Sequence, residues 1–176
     1  VDGANGNIVW QQSFAGAAGK EDDAMSVAAD ASGNAIVAGL TFDASGNIAI
    51  EVVKYGAADG VALWQVTPGG ASHVTPRVVA TDSAGNSTVG AETNASGTSD
   101  LRVVKLAAAT GATLWDKSFD GGHDDYMSDL VVDGSGNVAV AGIGVNAAGN
   151  DDWTILSLDG ASGAQRWKRT YDGGGA

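Results

Sequence analysis

The chain has 176 residues, 44% of them hydrophobic, and a formal net charge of −12 at pH 7. This length and apolar content suit one domain with a buried core, and nine dispersed Lys and Arg residues argue against binding to nucleic acid or to anionic membranes. The chain has no cysteine, which excludes disulfides and thiolate chemistry, and no apolar run approaches the length of a membrane-spanning helix.

Four short strands are predicted in the first well-defined unit of the chain. Each is rich in Val, Ile, Ala or Thr and is bounded by Gly, Asp, Asn or Ser, as β-strands are. No stretch keeps helical periodicity over eleven residues or more, so the sequence predicts an all-β chain. The four segments are AMSVAAD (24–30), NAIVAGL (34–40), IAIEVVKYG (48–56) and VALWQVT (61–67).

Two landmarks repeat along the chain with one period. The phrase D-x-x-G-N begins at Asp30, Asp82 and Asp133, with spacings of 52 and 51 residues. The second landmark is a tryptophan four residues after a glycine, with spacings of 54, 51 and 52, at Trp10, Trp64, Trp115 and Trp167. The period predicts repeats at about 24–75, 76–126 and 127–176, preceded by an orphan Trp strand at 5–14.

Four antiparallel strands in roughly fifty residues is the size of one β-propeller blade, whereas solenoids of this period are helical. Residues 1–176 are therefore predicted to form a partial β-propeller, an arc of three four-stranded blades plus one extra strand. Because propeller rings close with about four to eight blades, the sequence is expected to be a fragment of a larger propeller.

The composite repeat resembles the bacterial β-propeller repeats called SBBP repeats. The resemblance rests on D-x-x-G-N-x-x-V-A-G, D-x-x-V-V-K, T-G-x-x-x-W and G-G-x-x-x-D, which together cover nearly the whole chain. It implies a parent propeller of seven or eight blades. It implies no single activity, because propellers carry enzymes, adhesins and scaffolds alike.

The chain is also similar to PQQ-type quinoprotein repeats, whose docking motif is A-x-D-x-x-T-G-x-x-x-W. The segment SLDGASGAQRW keeps Asp159, Gly163 and Trp167, whereas KLAAATGATLW has Ala107 in place of the motif's Asp. The similarity implies that the Trp residues dock between blades. The departures leave PQQ chemistry without support.

The D-x-x-G-N phrase predicts a tight hairpin turn. Its Asp can accept hydrogen bonds from nearby backbone amides, and its Gly can adopt the left-handed conformation. A calcium-binding loop would need alternating carboxylates and a distant Glu, which the phrase lacks. The glycines assigned to this role are Gly33, Gly85 and Gly136.

The recurring tryptophans are predicted to pack against a neighbouring blade, since a sugar-binding site would rarely need the same residue in every blade. Trp153 stands where the preceding repeat has Leu101 and is interpreted as a core substitution. Lys54 and Lys105 occupy equivalent positions, with Ser157 in the third repeat. They are interpreted as strand-end surface residues or inter-blade contacts rather than as a catalytic amine.

The densest polar cluster follows the third tryptophan. Capping of the next strand is the simpler interpretation, because the other repeats also carry polar residues there. A divalent cation, the one cofactor that the sequence suggests, is the alternative interpretation. Its ligands would be Asp120, His123, Asp124 and Asp125.

Catalytic motifs such as G-x-S-x-G are absent from the sequence, so we predict a non-catalytic binding or scaffold module of a secreted or cell-surface bacterial protein. Its location would be extracellular, on the cell surface or periplasmic. The alternative is an arc of a PQQ-type dehydrogenase or a carbohydrate-active enzyme whose catalytic residues lie elsewhere. The expected partners are a protein or glycan, remaining blades of a parent chain, or a second copy. The proposed contact loops are 40–50, 92–100 and 143–152.

Overall fold

Three four-stranded antiparallel sheets form the protein in the computed structural model, which describes residues 1–16, 19–69, 73–94 and 97–172. Each sheet follows chain order, and we name them blades 1, 2 and 3. Blade 1 contains β1 (Asp23–Ala29), β2 (Ala35–Phe42), β3 (Ile48–Tyr55) and β4 (Ala62–Val66). Blade 2 contains β5 (Val74–Thr81), β6 (Ser87–Thr93), β7 (Asp100–Leu106) and β8 (Thr113–Phe119). Blade 3 contains β9 (Asp125–Val132), β10 (Val138–Val145), β11 (Asp151–Leu158) and β12 (Gln165–Tyr171).

Consecutive blades pack face to face around their first strands. β5 packs against β1, β2 and β3, and β9 packs against β5, β6 and β7. The fourth strands lie at the opposite edges of the sheets. This arrangement confirms the predicted all-β fold, an arc of three propeller blades. Within the described ranges there is no helix, and hence none that could cross a membrane.

Regular bulges shape the first and fourth strands of every blade. In β5 the register shifts between Pro76 and Val78, a position that tolerates the missing N–H of proline. In each fourth strand one residue is skipped directly before the tryptophan, as at Leu63 in β4. Because a bulge increases local twist and redirects side chains, the shift sets the direction of the tryptophan that follows.

The hydrophobic core is divided between the two inter-blade junctions. Ile50, Val52 and Trp64 of blade 1 belong to one buried cluster with Val79 and Val104 of blade 2. A second cluster joins blade 2 to blade 3. It contains Leu101, Val103, Trp115, Met127, Leu130, Val138, Val140, Leu156 and Leu158.

The segment before blade 1 differs from its prediction. An orphan strand was expected over 5–14, but these residues include the end of a turn and a stretch without regular secondary structure. A strand forms only where a neighbouring strand supplies ladder partners, and β4 pairs with β3 alone in the described sheet. Trp10 nevertheless contacts blade 1 in the manner of the other repeated tryptophans.

Candidate functional site

The D-x-x-G-N phrases that begin at Asp30, Asp82 and Asp133 each form a closed turn between the first two strands of a blade. In blade 1, Asp30 Oδ1 accepts hydrogen bonds from the backbone N–H groups of Ser32 and Asn34, at 2.9 and 3.0 Å. Gly33 has a φ of +78°, a conformation that favours glycine. The turns that begin at Asp82 and Asp133 repeat this pattern.

In blades 1 and 2, a buried lysine links the turn of its own blade to the next blade. Lys54 Nζ lies 2.8 Å from Asp30 Oδ2, and both side chains are at most 7% exposed. The same Nζ donates to the carbonyl oxygen of Ala108 in blade 2, at 3.1 Å. Lys105 pairs with Asp82 at 2.9 Å in the same way. The lysines are thus inter-blade contacts, one of the two roles considered for them.

The tryptophans of β4 and β8 each lie over a glycine of the following blade. Trp64 Nε1 donates to Ala108 O at 3.0 Å, and a Cβ on Gly111 would lie 2.8 Å from Trp64 Cε3. Only glycine fits beneath the ring, and its φ of +69° disfavours other residues as well. Trp115 repeats this contact with Gly160 O and Gly163.

An asparagine that the sequence interpretation did not assign completes the junction. Asn34 Oδ1 accepts a hydrogen bond from the backbone N–H of Ala57 at 3.1 Å, and Asn86 Oδ1 does so from Ala108 at 3.0 Å. This bond joins the two turns at one end of a blade and positions the carbonyl that receives the preceding blade's lysine and tryptophan. The signal was available, since Asn closes every D-x-x-G-N phrase.

The matching residues of blade 3 are exposed. Trp167 is 43% exposed, whereas Trp115 is 7% exposed. Trp153, interpreted as a core substitution for Leu101, is 70% exposed and lies beside Tyr171 with a ring separation of 6.1 Å. The core interpretation of Trp153 is wrong for this structure, because no other sheet of the described chain covers this face of blade 3.

The polar cluster after β8 is organised by backbone hydrogen bonds. Asp120 accepts from the N–H of Gly122, and Asp125 accepts from that of Gly121. Asp124 accepts from the N–H of Ser99 at 2.8 Å, and His123 is exposed. In the part of the chain that the structure describes, no three His, Asp or Glu side chains form a group that could hold a metal ion. The geometry therefore lends the cation-site interpretation no support.

Two of the three proposed contact loops are regular turns. Asp43 Oδ1 accepts from the N–H groups of Ser45 and Asn47, both at 2.8 Å. Asn146 makes the same contacts with Ala148 and Asn150. Segments 40–50 and 143–152 therefore contain the D-x-x-G-N type of turn, with Asn in the first position at 146. The third segment, 92–100, includes residues 95 and 96, which lie outside the described residues.

A cleft of about 250 Å³ lies between the N-terminal segment and blade 1. Phe14, Asp22, Glu51 and Tyr55 contribute to its walls. Burial raises the pKa of Glu51, opposed by the hydrogen bond that Glu51 accepts from Thr67 Oγ1 at 2.6 Å. The cleft is therefore acidic and continuous with the face of blade 1 that the N-terminal segment covers.

The buried aspartates make stability sensitive to acid. Burial alone would raise the pKa of Asp30, but the bonds from Lys54, Asn34 and Ser32 outweigh it and lower that pKa from 3.8 to about 2. The pKa of Asp30 is lower in the folded than in the unfolded chain. The Asp30 carboxylate therefore stabilises the fold fully at a pH above its unfolded-state pKa, and this stabilisation is lost as the pH falls from about 4 to about 2.

We expect the urea midpoint of the protein to fall over this pH interval, and to fall less in Asp30→Asn. The variant lacks the carboxylate whose protonation removes the contact, so its lower stability at neutral pH should depend more weakly on acid. Urea titrations of the wild type and of Asp30→Asn at pH 5 and pH 2.5 measure how far the midpoint of each protein falls. Equal losses in the two proteins would contradict a role for Asp30 in the acid response.

The Trp-over-Gly junction and its buried lysine occur at both junctions between the described blades. A family model matches residues 1–175. The model is described as outer membrane protein assembly factor BamB. The chain belongs to this PQQ-like propeller family. The predicted similarity to PQQ-type repeats is thereby confirmed, and the similarity to SBBP repeats stays a prediction.

A solved BamB structure, from Moraxella catarrhalis, aligns with the chain at 19% sequence identity and a TM-score of 0.49. The alignment covers 83% of this chain and 37% of the BamB chain. The chain thus spans less than half the length of that protein. No curated protein matches the sequence.

Proposed function

We propose that this chain is a non-catalytic binding or scaffold module of the bacterial cell envelope, acting on its periplasmic side, and that its partner is a protein. The observation that carries the proposal is the match of residues 1–175 to the BamB family model, whose description is that of an outer membrane protein assembly factor. An assembly factor binds the proteins that it helps to assemble, and a propeller can carry such a binding surface.

The buried basic side chains bond to groups within the protein and join neighbouring blades, which supports a scaffold role. Lys54 and Lys105 each hold an aspartate of their own blade and a carbonyl of the next blade. Arg102 Nη2 lies 2.6 Å from Asp116 Oδ2, and it also donates to Pro68 O, in the connection from β4 to β5, at 3.5 Å. These cations brace the arc, so the blades present a fixed outer surface.

Carboxylates concentrate at the end of the arc where the β2–β3 turns and the inter-blade connections lie. Asp23 begins β1, and Asp151 begins β11. Asp120 lies in the connection from β8 to β9, and Glu21 lies just before β1. All four are exposed. A partner with a basic surface is expected here, because complementary charge speeds and orients association.

An unfolded outer membrane β-barrel protein is the probe that tests this proposal. Its binding to the full chain should weaken roughly tenfold in the triple variant Glu21→Gln, Asp23→Asn and Asp151→Asn, since each exposed charge contributes up to about 1 kcal/mol. Fluorescence anisotropy of the labelled probe at low and high salt measures the change.

Asp59→Asn is the matched control, because Asp59 lies at the opposite end of blade 1 and asparagine can keep the bond from Val61 N–H. This variant should bind like the wild type. Absence of binding by the wild-type chain at low salt, or equal weakening in the control, would contradict the proposal.

A further inference from the structure

A small polar site lies over a glycine of β10, and we name it the Gly144 site after its three residues Asp125, Gly144 and Thr154. Gly144 pairs with Asp125 of β9, and Thr154 of β11 pairs with Gly142, two residues away on β10. A Cβ on Gly144 would lie 2.9 Å from Asp125 Oδ1 and 2.9 Å from Thr154 Oγ1. Both oxygen atoms therefore border the space above one glycine.

The Gly144 site is buried between blades 2 and 3. Because side chains alternate along a strand, Asp125 shares a face with Met127, and Thr154 shares a face with Leu156. Met127 and Leu156 belong to the buried cluster that also contains Leu101 of blade 2. Asp125 is 3% exposed and Thr154 is 2% exposed. The site is thus enclosed by the two blades that form this junction.

The polar atoms of the Gly144 site are not satisfied by the described residues. Thr154 Oγ1 is buried and has no hydrogen-bond partner among them. The carboxyl of Asp125 accepts one hydrogen bond from them, from the N–H of Gly121 to Oδ2 at 2.7 Å. A buried hydroxyl without a partner costs free energy, so such groups are nearly always bonded to protein or to water.

Blade 1 has the same arrangement with one residue changed. Gly39 and Gly142 occupy equivalent positions, since a Cβ on either would collide with the carbonyl oxygen of a first-strand residue. Two residues further along the second strand, blade 1 has Thr41 where blade 3 has Gly144. The comparison therefore shows what a hydroxyl does at this position.

In blade 1 the threonine hydroxyl completes the bonding of the carboxylate. Asp22 Oδ2 accepts from the N–H of Gly16 at 2.6 Å, and Asp22 Oδ1 accepts from Thr41 Oγ1 at 2.7 Å. Asp125 keeps the first of these bonds, but Gly144 has no hydroxyl that could make the second. Oδ1 of Asp125 thus lacks the donor that its counterpart has.

We propose that one water molecule binds at the Gly144 site, where it donates to Asp125 Oδ1 and accepts from Thr154 Oγ1. It takes the role that the hydroxyl of Thr41 has in blade 1, and it links β9 to β11 across the glycine of β10. A buried water needs a polar site with two or more partners and enough room. The next atom near the Cβ position, Thr154 Cβ, is 3.9 Å away.

The charges around the site give the water a measurable effect. Burial raises the pKa of Asp125, the bond from Gly121 and the charge of Lys168 lower it, and the charges of Asp100 and Asp120 raise it again. A donor to Oδ1 favours the ionised carboxylate, so removal of the water should raise this pKa further. Two protein oxygens are too few for a calcium ion, which takes six to eight oxygen ligands.

A high-resolution crystal structure of the full chain, grown at neutral pH with a chelator present, tests the position directly. We expect one density peak within hydrogen-bond distance, about 2.7–3.2 Å, of both Asp125 Oδ1 and Thr154 Oγ1. A well-ordered site without such a peak would overturn the proposal. A direct bond between the two side chains, or a peak that contacts only one of them, would do so as well.

Two substitutions of one shape test the site in solution. Gly144→Thr displaces the water and supplies a hydroxyl, as Thr41 does, whereas Gly144→Val displaces it and supplies no donor. Both introduce the same Cβ, so its close contacts cancel in the comparison. The unfolding equilibrium constant of Gly144→Val should be roughly tenfold larger than that of Gly144→Thr. The pKa of Asp125, followed by carboxyl carbon NMR, should be higher in Gly144→Val than in Gly144→Thr or the wild type.

Thr113→Val is the matched control, because Thr113 is an exposed strand residue of β8. It measures the intrinsic difference between threonine and valine in a strand and should change the unfolding constant less than about twofold. Equal stability and equal Asp125 pKa in the two Gly144 variants would show that this carboxylate needs no donor. Contacts of about 2.4 Å in crystals grown with calcium, lost on chelation, would identify a cation instead. Either result would overturn the proposal.

Discussion

Lys105→Met is expected to lower the free energy of unfolding by about 3–5 kcal/mol, the usual cost of removing one partner from a buried ion pair. Lys105 and Asp82 are only 5% and 6% exposed, and their charged atoms lie 2.9 Å apart. The substitution leaves Asp82 buried without its counter-ion and removes the hydrogen bond that Lys105 Nζ donates to Gly160 O. Urea unfolding followed by tryptophan fluorescence measures the loss.

The matched control is Lys168→Met in β12, where the lysine is exposed. That change should stay within about 0.5 kcal/mol. The double variant Lys105→Met with Asp82→Asn should recover part of the loss, because no uncompensated charge then remains buried. A loss below about 1 kcal/mol in Lys105→Met would show that the pair does not brace the junction.

The repeat period was sufficient to predict the blades, and it left two roles open for Lys54 and Lys105, of which the structure shows the inter-blade contact. Period and strand composition are local properties, and they are repeated often enough in this chain to exclude helical architectures. The turn beginning at Asp30 could also be anticipated, since its Asp and Gly have fixed conformational roles. The packing of each repeated tryptophan against a neighbouring blade could be predicted from the recurrence of Trp and Gly at constant spacing.

Features that depend on a missing neighbour could not be predicted in this way. The pattern around Trp10 is that of a fourth strand, but a strand needs a ladder partner. Trp153 occupies a position that is buried in blade 2, and the sequence of blade 3 alone does not reveal that its face is open. Burial is a property of the assembled arc, so the repeat pattern misassigned both residues.

Trp115→Ala and Trp167→Ala provide a direct comparison of one residue in two environments. Both tryptophans follow a bulge and pair with equivalent positions, Lys105 and Ser157. Trp115 is buried and donates to Gly160 O at 3.1 Å, so its removal should cost about 3–5 kcal/mol through the cavity and the lost contacts. Trp167 is 43% exposed, and its removal should cost less than about 1 kcal/mol.

The comparison should be made by urea unfolding at low protein concentration, where contacts between molecules do not add to stability. A large loss in Trp167→Ala under those conditions would mean that its ring is covered within the monomer. A small loss in Trp115→Ala would mean that blades 2 and 3 are not held by the Trp-over-Gly contact. The expected ordering follows from burial, because the residue type, the preceding bulge and the pairing register are matched.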